Sequence, residues 1–139
     1  MNNSPVFIVD DDSDDWLLIK EVWEELEFKN PLQFFNSAES VLKHLKQSSV
    51  EPFIIISDVN LGEKDGFYLR EKLINQNHTK YKTIPFIFFS SSASNAQIKK
   101  AYDLSAHGFF IKDSDIAELK KTFRIIVEYW FKSKAPELR

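Results

Sequence analysis

Five short apolar runs, four of them introduced by proline, constrain the fold of this chain more than any other feature. Pro5 precedes VFIV, Pro31 precedes LQFF, Pro52 precedes FIII and Pro85 precedes FIFF; a fifth run, GFFI over residues 108–111, has the same character without the proline. Proline is tolerated at the first position of a strand, where its missing N–H costs little. Several runs are apolar at every position instead of alternating, so both faces of the strands they form must be covered. That is the habit of parallel sheets flanked by helices.

The intervening segments carry a helical period. Leu17, Leu18, Val22 and Leu26 mark a helix over 13–27, Val41, Leu42 and Leu45 one over 37–46, and Phe67, Leu69, Leu73 and Ile74 one over 66–74. Ile98, Ala101, Tyr102 and Leu104 predict a fourth over 95–105, and Ile116, Leu119, Phe123, Ile126, Val127 and Trp130 a fifth. Asp12 with Asp15, Asn36 with Glu39, and Ser94 with Gln97 place a capping side chain three residues before an acid or amide. Strand and helix alternate five times, which implies right-handed crossovers in an open, five-stranded parallel sheet with helices on both faces: an α/β fold and a single domain over 1–139.

A chain of 139 residues buries ~70% of its unfolded surface, enough for a real core. No cysteine is present, and His44, His78 and His107 lack metal-ligand spacing, so disulfide and thiolate-zinc scaffolds are excluded. The N-terminal MNNSPVFIVDDD has neither the basic start nor the apolar stretch of a signal peptide, and no run is long enough to span a membrane, which predicts a cytoplasmic protein. A net charge of −3 offers no footprint for nucleic acid.

In open α/β sheets the functional crevice lies beyond the carboxyl ends of the strands. Asp10, Asp11 and Asp12 end the first run, Asp58 the third, Ser90 the fourth and Lys112 the fifth. Two carboxylates ~5 Å apart repel by about 3 kcal/mol at an effective dielectric near 20, so such a rim calls for a cation. Oxygen donors without His or Cys favour Mg²⁺. Such a metal can neutralise charge on a transferred phosphoryl group while a carboxylate attacks in line. Each feature has a plainer explanation by itself: the aspartates as a helix cap, Ser90 as a loop serine, Lys112 as a solvated lysine. Their conjunction favours the site.

These residues make the chain resemble the receiver domains of two-component response regulators, the CheY-like family. The resemblance runs through FIVDDD, IIISDVNLGEKDG, IPFIFFSSS and GFFIK, in order and at family spacing. It implies the flavodoxin-like strand order 2-1-3-4-5, Asp58 as phosphoacceptor, and Mg²⁺ held by Asp10, Asp11, Asp58 and the backbone carbonyl of Asn60. It further implies that Ser90 holds a phosphoryl oxygen, Lys112 pairs with the phosphate, and Phe109 is the aromatic of the switch, where the family often has tyrosine. Gly62, Ser92 and Asp113 are the modulating loop positions. The family's usual Lys-Pro is here Lys112-Asp113, so the peptide is either a strained cis bond or trans with Lys112 aimed differently, and Gly62 stands where a proline is usual. The implied partner is a sensor histidine kinase or a histidine phosphotransfer protein.

A weaker resemblance, in FKNPLQFFNSAESVL, AYDLSAHGFF and IVEYWF, is to stand-alone receivers partnered with bacterial phytochrome kinases. It predicts a receiver with no output domain. Tyr129, Trp130 and Phe131 cannot all face one sheet, which suggests a dimer or docking surface on the last helix. Three other functions compete. A degenerate receiver would bind partners without phosphorylation. A haloacid-dehalogenase-type phosphotransferase would need a second Asp at Asn60. A nucleotide-binding flavodoxin-like module would need Ser, Thr or Gly where the three aspartates stand.

Overall fold

Each of the five apolar runs forms a strand in the computed structural model, which describes residues 3–75 and 79–134. The strands are β1 (Val6–Val9), β2 (Leu32–Phe35), β3 (Ile54–Ser57), β4 (Phe86–Ser90) and β5 (Gly108–Ile111), and the helices are α1 (Ser13–Leu26), α2 (Ala38–Gln47), α3 (Gly66–Asn75), α4 (Asn95–Asp103) and α5 (Ile116–Lys132). A 3-10 turn over Thr79–Thr83, not foreseen from the sequence, precedes β4. His78 lies outside the described residues. All four strand pairings are parallel, in the order β2-β1-β3-β4-β5. None of the described helices is long and apolar enough to cross a membrane.

The proline-led entries work because proline keeps its carbonyl: Pro31 O accepts from Val6 N–H at 2.9 Å, Pro5 O from Phe53 N–H at 2.8 Å and Pro85 O from Ile55 N–H at 2.9 Å. Alternate residues of each central strand then supply opposite cores. Phe7, Val9, Ile55, Phe86 and Phe88 pack with α2 and α3, whereas Val6, Ile8, Ile54, Ile56, Ile87 and Phe89 pack with α1 and α5. The outer strands are less covered: Leu32, Gln33 and Phe34 of β2 are half-buried, and Ile111 of β5 is exposed.

One start signal acts in full, one through its first residue alone, and one is displaced. Ser94 and Gln97 form the reciprocal capping box of α4, and Asp12 caps α1 by accepting from Asp14 N–H. At α2 the cap is Ser37, which accepts from Ser40 N–H, and not Asn36. A serine one residue nearer the first turn reaches the free amide there.

The far end of the sheet is tied by a buried cation. Arg70 of α3, 1% exposed, donates to Leu104 O at 3.0 Å and to Ser105 O at 2.7 Å, meeting the free carbonyls where α4 ends at left-handed Ser105. Burial lowers its pKa to about 10. Two residues beyond Ser105, His107 accepts Phe86 N–H at Nδ1 at 3.0 Å and meets Trp130 edge-on. Burial first, and then Arg70, hold the His107 pKa below its ordinary 6.5. The folded state thus keeps this ring neutral where the unfolded chain takes up a proton, so stability falls as pH drops below 6.5. In urea unfolding at about pH 7.5 and about pH 5.5, His107→Asn, which keeps an acceptor, is expected to shed part of that loss; an equal acid loss in both proteins would assign it elsewhere.

Candidate functional site

The order β2-β1-β3 reverses the direction of winding at β1, and the crevice of an open sheet forms at that point, beyond the strands' carboxyl ends. Val9 lies in register with Ser57, so the next residues, Asp10 and Asp58, leave adjacent strands side by side. Their backbones are held there: Asp58 N–H donates to Val9 O and Asp10 N–H to Phe35 O, both at 2.9 Å. Gly66 opens α3 against the same turn, donating to Val59 O at 2.8 Å; a Cβ built on it would overlap the Asp58 carbonyl oxygen.

Lys112 enters from the end of β5, its N–H bonded to Ser90 O at 2.7 Å. Its ammonium donates to Asp10 Oδ2 at 2.7 Å, Asp15 Oδ2 at 2.8 Å and Asp58 Oδ2 at 2.8 Å. The second oxygens of Asp10 and Asp58 are also engaged: Asp10 Oδ1 accepts from Asp12 N–H at 2.9 Å and Asp58 Oδ1 from Asn60 N–H at 3.1 Å. Burial pushes the Asp10 pKa up to about 6 against the lowering influence of Lys112. Burial would lower the basicity of Lys112, but hydrogen bonds to Asp10, Asp15 and Asp58 outweigh it, and its pKa is raised. The described peptide bonds are all trans, Lys112–Asp113 included, and the lysine reaches Asp58 nonetheless.

A cleft of about 520 Å³ opens over these groups. Among the described residues, six aspartates (10, 11, 12, 15, 58 and 113) line it with one cation, Lys112, a negative surplus that favours a bound cation. Asp11 is exposed there, its carboxylate without a hydrogen bond among the described residues. No three acidic or histidine side chains among the described residues already converge as a metal site. The ammonium of Lys112 instead occupies the convergence point of Asp10 and Asp58. The donors are all oxygen, which suits a hard divalent ion once the lysine yields.

Other candidates stand further off. Ser90 is fully buried, donates its hydroxyl to Ser92 O at 2.9 Å and does not line the cleft, whereas Ser91 does. Phe109 is half-buried beside Phe88, 5.9 Å between rings, in the core on the α2 and α3 side. Gly62 adopts φ +84° in open space, and exposed Asn60 and Asp113 line the cleft. Two participants were missed from the sequence. The spacing from Asp12 makes Asp15 a capping partner, but its carboxylate turns to Lys112. Trp16, at 2.7 Å from the Asp10 carbonyl and stacked on Phe34, braces the strand end. The only advance signal was helical spacing, which puts Asp15 a turn beyond Asp11 and Asp12.

Comparison with known proteins places this geometry. The response regulator receiver domain family matches residues 6–124. The response regulator Rcp1 of Synechocystis is 26% identical over 135 residues, covering 92% of this chain and 89% of its own. The DNA-binding transcriptional regulator NtrC of Proteus hauseri is 28% identical over 137 residues, 98% of this chain but only 27% of NtrC. Among solved structures, the phosphorylated cyanobacterial phytochrome response regulator RcpA superposes with a TM-score of 0.86 at 23% identity, covering 97% of this chain and 99% of that one. The Mn²⁺-bound form of Rcp1 superposes at 0.82 with 21% identity, covering 96% and 99%. With the family match spanning most of its length and the same five-stranded parallel order, the chain belongs to the response regulator receiver domains.

Proposed function

We propose that this receiver takes a phosphoryl group onto the Asp58 carboxylate from a histidine kinase or histidine phosphotransfer protein, and signals by protein contact or by passing the group onward. The observation that carries the reading is the convergence of Asp58 and Asp10 on Lys112 at the floor of an acidic cleft. An Asp58 oxygen would attack phosphorus, the donor's P–N bond would break, and its electron pair would return to the imidazole. Asp10, Asp11, Asp58 and the Asn60 carbonyl would hold Mg²⁺, which neutralises charge on the transferring group. Lys112 would pair with a phosphoryl oxygen. Ser90 would leave Ser92 O to donate to another, with Phe109 following.

Incubation with Mg²⁺ and acetyl phosphate, read by intact mass, is expected to add one phosphoryl group, and Asp58→Ala or removal of Mg²⁺ to prevent it. An unmodified wild-type chain would point instead to a receiver that binds partners without phosphorylation. Asn60 stands where a dehalogenase-type phosphotransferase places its second aspartate, so we do not favour catalytic turnover of a substrate.

For a surface on α5 the packing redistributes the expected residues. Phe131 stacks on Phe53 at 5.0 Å yet stays 38% exposed, and Trp130 lies half-buried against His107, so Tyr129 and Ile125, about 60% exposed, are the most outward residues of this face. Self-association or kinase docking through them would weaken in a Tyr129→Ser, Ile125→Ser variant compared by sedimentation and phosphotransfer rate; no change in either would exclude this face.

A further inference from the structure

We propose that Asp15 is a positioning residue that keeps Lys112 in the cleft when its other two partners are taken up by phosphoryl chemistry. The inference rests on the function proposed above and concerns a residue outside the acceptor and metal set.

All three ammonium protons of Lys112 are committed, to Asp10, Asp15 and Asp58. Two of those acceptors have other tasks in the proposed reaction. Asp10 would face a divalent cation, whose charge repels an ammonium beside it, and Asp58 would exchange its lysine-bound carboxylate for an acyl phosphate. Asp15 has no such task. It stands in the first turn of α1, where a negative side chain interacts favourably with the positive end of the helix. Its side chain is 31% exposed against 3% for Asp10 and 11% for Asp58, so it can follow the lysine when the inner pair lets go.

The need for such a tether is local. Among the described residues the Lys112 backbone is anchored by its N–H bond to Ser90 O, and exposed Asp113, Ser114 and Asp115 follow it. The direction of the four-carbon stem is therefore set by the partners of its tip. If Asp15 were absent, cation binding at Asp10 would release the ammonium toward solvent, and Lys112 would have to be recovered before it could meet a phosphoryl oxygen. With Asp15 present, the amine stays within one hydrogen bond of the α1 wall and beside Asp58.

Two effects of Asp15 on phosphoryl uptake have opposite signs. If Asp15 were merely one more negative charge at the rim, removing it would raise uptake, because less repulsion would meet the incoming anion. If it positions Lys112, removing its charge lowers uptake.

The test uses Asp15→Asn, which keeps shape and removes charge, together with Lys112→Met and the double variant. Uptake from acetyl phosphate and Mg²⁺ is expected to fall in Asp15→Asn, by up to the roughly hundredfold cost of a misplaced reacting group. Asp15→Asn is expected to add nothing in the Lys112→Met background. Lysine-selective ¹H–¹⁵N spectra read the tether without phosphorylation. The Lys112 ammonium signal is expected to persist in the wild type with saturating Mg²⁺ and to be lost to solvent exchange in Asp15→Asn. Raised or unchanged uptake in Asp15→Asn, a full Asp15 effect without Lys112, or a signal that survives Asp15→Asn would each overturn the proposal. A wild-type chain that takes no phosphoryl group would sink the functional reading, while the spectra would still decide the tether.

Discussion

Replacing Lys112 with methionine is expected to destabilise the metal-free domain by about 3 kcal/mol, as removal of one partner from a buried ion pair does. The substitution leaves Asp10, Asp15 and Asp58 facing one another without their shared donor. Methionine fills much of the stem's volume, so the loss is electrostatic and not a cavity. For a domain of this length that corresponds to a fall of about 10 °C in the midpoint of thermal unfolding. Saturating Mg²⁺ is expected to restore part of it, since a cation bound by the same carboxylates stabilises the folded state by mass action. Thermal melts of both proteins with and without Mg²⁺ would check this. A variant as stable as the wild type in chelator would show that the three carboxylates do not depend on Lys112.

Gly66→Ala is expected to destabilise the domain by about 3 kcal/mol, although helix propensity alone would assign the change the opposite sign. Gly66 is the first residue of α3, and alanine there would gain up to about 1 kcal/mol on propensity. The added Cβ has no room: it overlaps the Asp58 carbonyl oxygen and lies 3.0 Å from the Phe88 ring. Neither neighbour yields cheaply, because one is backbone and the other is a fully buried ring. Overpacking of this kind costs about 3 kcal/mol, and whatever relief the backbone finds must move Asp58. Phosphoryl uptake should therefore fall with stability. Gly62→Ala is the control, since its φ of +84° strains an alanine by about 1 to 2 kcal/mol while nothing lies within 4 Å. Urea unfolding and acetyl phosphate uptake compare the two; an equal loss of uptake at both glycines would refute a role for the Gly66 contact.

What could be read in advance had local causes. Proline before an apolar run marks a strand entry whichever chain it pairs with, and an unbroken apolar strand demands cover on both faces. Aspartates at strand ends could therefore be placed on one rim before any contact was known. Asp15 could not be read this way, because capping and ion-pairing use the same side chain and only the approach of β5 decides between them. Trp130 and Phe131 were ambiguous for a similar reason. Helical spacing shows that Tyr129, Trp130 and Phe131 point apart, but not that Phe53 and His107 stand ready to receive two of them. The resemblance assigns Ser90 to the switch position, whereas in the structure its hydroxyl is bonded to Ser92 O within its own loop, a choice made by backbone geometry that residue identity does not encode.

The sequence by itself determined the element order, the parallel sheet and the strand ends where chemistry must lie, since these follow from side-chain period and turn residues within a few positions of each other. Only the tertiary structure decided that Lys112 joins Asp10, Asp15 and Asp58, residues separated from it by 102, 97 and 54 positions. That choice depends on which strand ends become neighbours and on how far burial strips water from each charge, and both are properties of the packed sheet.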